Sequence, residues 1–259
     1  MNNTKALIAI LTILLIILFI LSGLLISKSI HSDTQLASSD STTATSTTED
    51  ISVNNPVEDN VILPLTEDAG WEYIDKIYFV GDSTTYHFHK GGIDKSHIFV
   101  PDSLTLMLTS SINTVTVGSN GLTISEAIAE AECEYVIITI GVNGADSFTE
   151  TKYKTYYNKL IDEIQVSSPN TKIILQSVFP VTKAYSDRNI GITNSGIDRL
   201  NEWAKDIASE QGIRYLDTQS ILKDENGAQL EHYSEQDGVH MNADAYSTII
   251  EYIKTHALK

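Results

Sequence analysis

Two short segments hold the residue types that acyl-transfer chemistry needs. Ser83 ends the tripeptide Gly-Asp-Ser at 81–83, and Asp237 precedes His240 by three residues. A serine hydroxyl becomes a useful nucleophile when a nearby base removes its proton. An imidazole oriented by a carboxylate supplies that base. Ser83, His240 and Asp237 are therefore our candidate catalytic residues, although a serine before a helix is also a common N-cap and Asp237 and His240 could merely cap the final helix and its preceding loop.

A third segment could stabilise the oxyanion of a tetrahedral intermediate. Asn143 lies in Gly-Val-Asn-Gly at 141–144, and its side-chain amide is a suitable donor. The backbone N–H of Ser83, at the predicted start of a helix, is a second candidate donor. The alternative for Asn143 is an ordinary turn residue, because asparagine is favoured in turns.

The chain around these segments alternates between strand-like and helix-like patterns. Apolar runs at 77–80, 97–100, 135–140, 172–179 and 214–217 have the length and composition of buried parallel strands. Helical periodicity follows at 123–132, 153–164, 197–207 and from Asn242 onwards. This order predicts an α/β fold with a doubly wound, mostly parallel sheet between helices. The three segments all follow predicted strands, and ligands bind at that edge of such sheets.

The three segments together resemble the blocks of the SGNH/GDSL hydrolase (esterase/lipase) family. Gly-Asp-Ser at 81–83, Gly-Val-Asn-Gly at 141–144 and Asp-Gly-Val-His at 237–240 stand where that family has G-D-S, G-x-N-D and D-x-x-H. The resemblance extends from about residue 74 to the C-terminus. Gly144 departs from the pattern, since aspartate is usual there.

The resemblance implies a three-layer α/β/α sandwich with a mostly parallel five-stranded, flavodoxin-like sheet. It implies a serine esterase that works through an acyl-enzyme. It also implies a third oxyanion donor, a backbone amide after the second strand and usually that of a glycine. Here Pro-Asp-Ser-Leu-Thr follows at 101–105 without a glycine, and we assign the donor to Ser103.

We expect no metal and no cofactor. His87 and His89 form an H-x-H pair, but no third ligand stands nearby, so they are expected to line a pocket or face solvent. Neither the dinucleotide-binding nor the phosphate-binding glycine motif is present. The formal net charge of −17 argues against a nucleic-acid partner.

The N-terminal segments predict a location. Residues 6–26 form an uncharged aliphatic run of spanning length, which favours an uncleaved transmembrane signal anchor over a cleaved signal peptide. Residues 1–5 would then be a short cytoplasmic tail, 27–60 a flexible Ser/Thr/Asp-rich stalk, and 61–259 the hydrolase domain. We therefore expect a single-pass cell-membrane protein with an extracellular catalytic domain.

The expected substrate is an ester, with an O-acetylated cell-wall or surface glycan favoured by the location. A surface-glycan O-acyltransferase would use the same acyl-enzyme, so the sequence leaves transfer open. A catalytically inactive glycan-binding domain of the same fold is a further alternative. Acyl length and oligomeric state are also left open.

Overall fold

The computed structural model describes residues 61–100, 115–117 and 120–258. In these ranges no helix combines the length and apolarity that crossing a bilayer requires. The predicted tail, anchor and stalk (residues 1–60) and Ser103 lie outside the described residues.

Five parallel strands form the central sheet: β1 (Ile77–Gly81), β2 (Ile98–Phe99), β5 (Tyr135–Thr139), β6 (Lys172–Gln176) and β7 (Arg214–Leu216). Their order across the sheet is β2-β1-β5-β6-β7. A separate antiparallel hairpin pairs β3 (Val115–Val117) with β4 (Asn120–Leu122). The predicted five-stranded sheet is confirmed, and all of its pairings are parallel.

Seven α-helices are found in the described part of the chain. They are α1 (Gly70–Ile74), α2 (Ser83–Tyr86), α3 (Ile124–Glu130), α4 (Glu150–Ser167), α5 (Lys183–Ser186), α6 (Asn194–Glu210) and α7 (Ala243–Lys254). The predicted capping box opens α3, where Glu126 N donates to Thr123 Oγ1 at 3.3 Å and Thr123 N donates to Glu126 Oε2 at 2.8 Å. Asn242 caps α7 as predicted, because its Oδ1 accepts from Ala245 N at 3.2 Å.

Side chains of the sheet alternate between two separate apolar cores. Val80, Ile138 and Leu175 face the core that helices α3, α4 and α6 cover. Phe79, Ile137 and Ile174 face the opposite core, which α1 and α7 cover. Alternation follows from the two-residue repeat of a strand. The predicted three-layer α/β/α sandwich is therefore confirmed.

Two local features differ from the sequence-based expectation. β6 ends at Gln176, so the strand is shorter than the apolar run at 172–179. Beyond the strand, the Asn201 side chain bonds both the N–H and the carbonyl of Val178. Asn201 Oδ1 accepts from Val178 N at 2.8 Å, and its Nδ2 donates to Val178 O at 3.0 Å. The β3–β4 hairpin was not predicted, since its three-residue strands are too short to show a period.

Candidate active site

Ser83 is the first residue of α2, directly after β1, and it is exposed. Gly81 allows β1 to pass close to β5, since a Cβ at Gly81 would lie 2.4 Å from the carbonyl oxygen of Thr139. Asp82 caps α2, its Oδ1 accepting from Thr84 N at 3.1 Å and from Thr84 Oγ1 at 2.8 Å. The strand end and the capped turn together place the Ser83 side chain at the carboxyl edge of the sheet.

Asp82 also joins the ends of two neighbouring strands. Its Oδ2 accepts from the backbone amides of Gly141 and Val142, each at 3.2 Å. Burial raises the pKa of this carboxyl, against the opposing effect of the hydrogen bonds from Thr84 and the two amides. Asp82 thus holds the loop that carries Asn143 in register with the turn that carries Ser83.

Ser83, His240 and Asp237 lie in hydrogen-bonded sequence. His240 Nε2 is 3.1 Å from Ser83 Oγ, and His240 Nδ1 is 2.6 Å from Asp237 Oδ2. Because a carboxylate only accepts, Nδ1 carries the proton in this arrangement and Nε2 is free to accept from the serine hydroxyl. The geometry can therefore move a proton from Ser83 Oγ onto His240.

The charge of Asp237 is stabilised within its own loop. Burial raises the pKa of Asp237, but the hydrogen bonds from His240 Nδ1 and from the amides of Val239 and His240 outweigh it and lower the pKa to about 2. Those amides donate to Asp237 Oδ1 at 2.8 Å and 2.9 Å. An Asp237 that is ionised near neutral pH can stabilise a protonated His240.

The loop that carries Asp237 and His240 is held from three sides. Its own ends meet where Glu235 N donates to His240 O at 2.8 Å. Thr182 N donates to the carbonyl of Gly238 at 2.9 Å. Lys90 Nζ donates to Glu235 Oε1 at 2.8 Å and to Met241 O at 3.1 Å. Lys90 comes from the 3₁₀ segment His87–Gly91, which follows α2, so it links the Ser83 segment to the His240 loop.

Asn143 lies in the 3₁₀ turn Val142–Gly144, just beyond β5, and is exposed. This turn is the one that Asp82 holds through the amide of Val142. At Gly144, where the family usually has aspartate, a Cβ would lie 2.5 Å from the ring of Phe148. Phe148 thus occupies the space that a side chain at position 144 would need.

His87 lies beside His240. Their ring centroids are 5.1 Å apart and the ring planes are nearly perpendicular. Burial, followed by the positive charges of Lys90, His240 and His89, lowers the pKa of His87 to about 4. His87 is therefore uncharged near neutral pH and adds no positive charge next to His240. It sits in a 3₁₀ helix, not in the strand that an H-x-H pair suggests.

The described part of the chain has two cavities next to the His240 loop. One, of about 470 Å³, is lined by His87, Lys90, Glu235, Gln236, Asp237 and His240. The other, of about 520 Å³, is lined by Thr182, Ala184, Tyr185, Arg188, Glu231 and Ser234–Gly238, so the two cavities share Glu235, Gln236 and Asp237. The first is named the His87 cavity and the second the Tyr185 cavity, after Tyr185 in its wall.

Sequence reasoning missed the residues that hold the site together. Lys90 and Glu235 are 145 positions apart, and Thr182 is remote from Gly238, so no local motif links them. Asp82 is visible in the sequence as part of the Gly-Asp-Ser tripeptide, but its hydrogen bonds to the loop after β5 are not. Only the fold brings these partners together.

The fold is that of the GDSL/SGNH class of hydrolases. The family model described as GDSL-like Lipase/Acylhydrolase matches residues 79–247. The chain belongs to this family. The match includes all three sequence segments and ends within α7.

Solved structures with the same fold share little sequence with this chain. A GDSL-like lipase from Bacteroides thetaiotaomicron VPI-5482 is 19% identical with a TM-score of 0.52, and the match covers 68% of this chain and 83% of that one. An acetyl xylan esterase, AlAXEase, is 14% identical with a TM-score of 0.52, covering 70% and 99%. The periplasmic domain of a lipopolysaccharide acetyltransferase from Salmonella ser. Paratyphi A is 14% identical with a TM-score of 0.50, covering 68% and 81%. A search of curated proteins found no match.

Proposed function

We propose that this protein is a serine esterase that removes acyl groups, chiefly O-acetyl groups, through an acyl-enzyme on Ser83. The observation that carries the proposal is the hydrogen-bonded sequence from Ser83 Oγ through His240 to Asp237, at 3.1 Å and 2.6 Å. Membership of a lipase/acylhydrolase family supports the same reaction class.

The reaction proceeds in two halves. Ser83 Oγ attacks the ester carbonyl carbon while His240 Nε2 takes the hydroxyl proton. His240 then returns that proton to the alkoxide leaving group, and the acyl-enzyme forms. In the second half His240 deprotonates a water molecule, which attacks the acyl carbon, and the proton passes back to Ser83 Oγ as the acid leaves.

The oxyanion of each tetrahedral intermediate needs fixed donors. We assign these to the backbone N–H of Ser83 and the side-chain amide of Asn143, with the amide of Ser103 as a third donor. The Asp82 bonds to Thr84 and to the loop after β5 support the first two assignments, because they hold both segments at one edge. Preorganised donors of this kind stabilise developing charge without reorganisation.

The acyl group and the substrate class are part of the proposal. The acetyl xylan esterase and the lipopolysaccharide acetyltransferase of similar fold are named for acetylated carbohydrates. Ser83 is exposed, so a polymer-borne ester can reach it without passing through a tunnel. We infer that an O-acetylated cell-wall or surface glycan is the substrate.

We further propose that the protein is anchored in the cell membrane by residues 6–26, with the hydrolase domain outside and residues 27–60 as a stalk. The uncharged aliphatic run and the polar segment after it support this location. Protease added to intact cells should remove the domain while leaving cytoplasmic proteins intact. Recovery of the full-length chain in the soluble cytoplasmic fraction would contradict the location.

The reaction class is tested with the full-length protein and p-nitrophenyl acetate. We expect hydrolysis and covalent labelling of Ser83 by a fluorophosphonate probe, both lost in Ser83→Ala. Ser247→Ala is a matched control, because Ser247 is exposed on α7 and its hydroxyl bonds only its own helix, at the Ala243 carbonyl. Equal inactivity of the parent and Ser83→Ala, with Ser83 unlabelled, would refute the esterase.

Acyl transfer is the second candidate function. The lipopolysaccharide acetyltransferase domain of similar fold favours it, and an exposed Ser83 leaves room for an acceptor hydroxyl in place of water. Product analysis separates the two reactions. Acetate as the sole product in the presence of an acceptor glycan indicates hydrolysis, whereas acetylated acceptor indicates transfer.

A further inference from the structure

The His87 cavity lies on the side of the candidate site from which a leaving group must receive its proton. His240 forms part of its wall, whereas the residues around the larger Tyr185 cavity do not include His240. In the proposed reaction His240 protonates the departing alkoxide, so the alcohol portion of the ester must lie beside His240. Of the two cavities, the one that His240 lines is therefore the one positioned to hold the alcohol.

Every residue that lines this cavity has a polar side chain. Lys90 offers donors only, Glu235 acceptors only, and Gln236 and the neutral His87 ring offer both. The Lys90–Glu235 pair, at 2.8 Å, leaves little net charge between them. Gln236 is exposed, and its side chain makes no hydrogen bond within the described part of the chain. A mixed set of donors and acceptors is complementary to hydroxyl groups, which both donate and accept.

Other kinds of occupant fit this lining less well. An apolar alcohol would strip water from Lys90 and Glu235 without replacing their hydrogen bonds, which carries a desolvation penalty. An anionic group would meet the Asp237 carboxylate, and the positive charge of Lys90 is already paired with Glu235. A volume of about 470 Å³ lies within the usual range of small-molecule sites.

We propose that the His87 cavity is the subsite for the alcohol portion of the ester, and that this alcohol is neutral and polyhydroxylated. Gln236 and His87 are the specificity-determining residues, because Gln236 is exposed and, with Nδ1 of the His87 ring buried, Nε2 is the ring nitrogen left to bond a hydroxyl group. The inference rests on the proposed function, since it assigns His240 the role of proton donor to the leaving alcohol.

The test compares three acetate esters that share an acyl group and differ in the alcohol. An O-acetylated methyl glucoside, glycerol monoacetate and hexyl acetate are hydrolysed by the full-length protein, with p-nitrophenyl acetate as the reference. We expect kcat/KM for the glucoside ester to exceed that for hexyl acetate. In Gln236→Ala and in His87→Phe the ratio of kcat/KM for the glucoside ester to that for p-nitrophenyl acetate should fall about 5- to 10-fold, as expected for the loss of one hydrogen bond.

Glu231→Ala is the matched control, because Glu231 is exposed and lines the Tyr185 cavity but not the His87 cavity. It should leave the ratio unchanged. Preference for glycerol monoacetate over the glucoside ester would identify a glycerol-based alcohol with the same chemistry. Preference for hexyl acetate, or a ratio that falls in Glu231→Ala and not in Gln236→Ala, would overturn the subsite.

A binding measurement tests the subsite independently of catalytic turnover. The deacetylated methyl glucoside is titrated into the full-length Ser83→Ala protein, and NMR shift changes are mapped. Changes at 87–90, which line the His87 cavity and not the Tyr185 cavity, support the subsite even if the esterase proposal fails, and they should weaken in the double variant that also carries Gln236→Ala. Shift changes confined to residues 182–188 would refute it even if the esterase proposal holds.

Discussion

The Asp237 carboxylate uses both oxygens inside its own loop. Oδ1 accepts the amides of Val239 and His240, and Oδ2 accepts His240 Nδ1 at 2.6 Å. The backbone bonds orient the carboxylate, and the oriented carboxylate then selects the tautomer of His240 that leaves Nε2 facing Ser83. Asp237 thus sets both the ring orientation and the tautomer of His240.

This arrangement predicts a pH dependence of stability. The pKa of Asp237 in the folded protein is lowered to about 2, from an ordinary value near 3.9 in the unfolded chain. Ionised Asp237 therefore stabilises the fold above about pH 4, and this contribution disappears as the pH falls towards 2. The difference in unfolding free energy between the parent and Asp237→Asn, from urea titrations at several pH values, should shrink over that interval.

Asp206→Asn is the control, because Asp206 is exposed and pairs with Lys154 on the protein surface. The difference in unfolding free energy between the parent and Asp206→Asn should change much less between pH 5 and pH 2. If the difference in unfolding free energy between the parent and Asp237→Asn stays constant or grows as the pH falls, the hydrogen bonds assigned to the Asp237 carboxylate are contradicted.

Asn143 gives a second prediction at the residue scale. As an oxyanion donor it contributes mainly in the transition state, so Asn143→Ala should lower kcat by about 10²- to 10³-fold and change KM little. Steady-state kinetics with p-nitrophenyl acetate measures both constants. Asn226→Ala, in an exposed turn, is the control and should retain parental kinetics. A large rise in KM with unchanged kcat would assign Asn143 to substrate binding instead.

At the level of elements, the site depends on contacts between segments that are far apart in the chain. Lys90, in the 3₁₀ segment after α2, bonds both sides of the loop that carries Asp237 and His240. Tyr246 of α7 donates its hydroxyl proton to the carbonyl of Thr84 in α2, at 2.5 Å. These three bonds join the segment that carries Ser83 to the loop that carries Asp237 and His240 and to the helix that follows it.

Lys90 is therefore a positioning residue. Lys90→Met keeps the length of the side chain but removes its donors, so we expect kcat for p-nitrophenyl acetate and the rate of fluorophosphonate labelling to fall about 10-fold, with KM little changed. Lys90→Arg retains donors and should recover most of the activity.

Lys159→Met is the control, since Lys159 pairs with Glu163 on the exposed side of α4. Its labelling rate should equal that of the parent. Two outcomes would argue against the positioning role: full activity in Lys90→Met, or equal loss in Lys90→Met and Lys90→Arg.

For the whole molecule, stability comes from the two cores on either side of the sheet. Ile138 is fully buried in the core that α3, α4 and α6 cover. Residues of β5 alternate between the two cores, so this central strand links both apolar layers. The candidate active site lies at the edge of this sheet, and its geometry depends on the sheet remaining intact.

Ile138→Ala should lower the free energy of unfolding by about 2–5 kcal/mol, because it removes buried methyl groups and leaves a cavity. Val166→Ala is the control and should change it by less than about 0.5 kcal/mol, since Val166 is 85% exposed on α4. Urea unfolding followed by circular dichroism measures both. If Val166→Ala lowers the free energy of unfolding as much as Ile138→Ala does, the assignment of the core is contradicted.

Local sequence was sufficient to predict an interaction when the interacting groups are close along the chain. The Thr123 and Glu126 capping box, the Asn242 cap, and the Asp237–His240 pair join residues three positions apart, and backbone geometry brings such residues together. The helical and strand periods likewise follow from which side chains face the cores. The order of strands and helices, and with it the three-layer sandwich, was therefore predictable.

Contacts between distant segments required the folded chain. Ser83 and His240 are 157 positions apart, and Lys90 and Glu235 are 145 apart. Whether such side chains meet depends on strand order, on where each strand ends and on how the loops are held, and no short motif encodes these. The residue types of the site could be named from sequence because their chemistry is local, whereas their distances and the shape of the cavity beside them come from packing across the sheet.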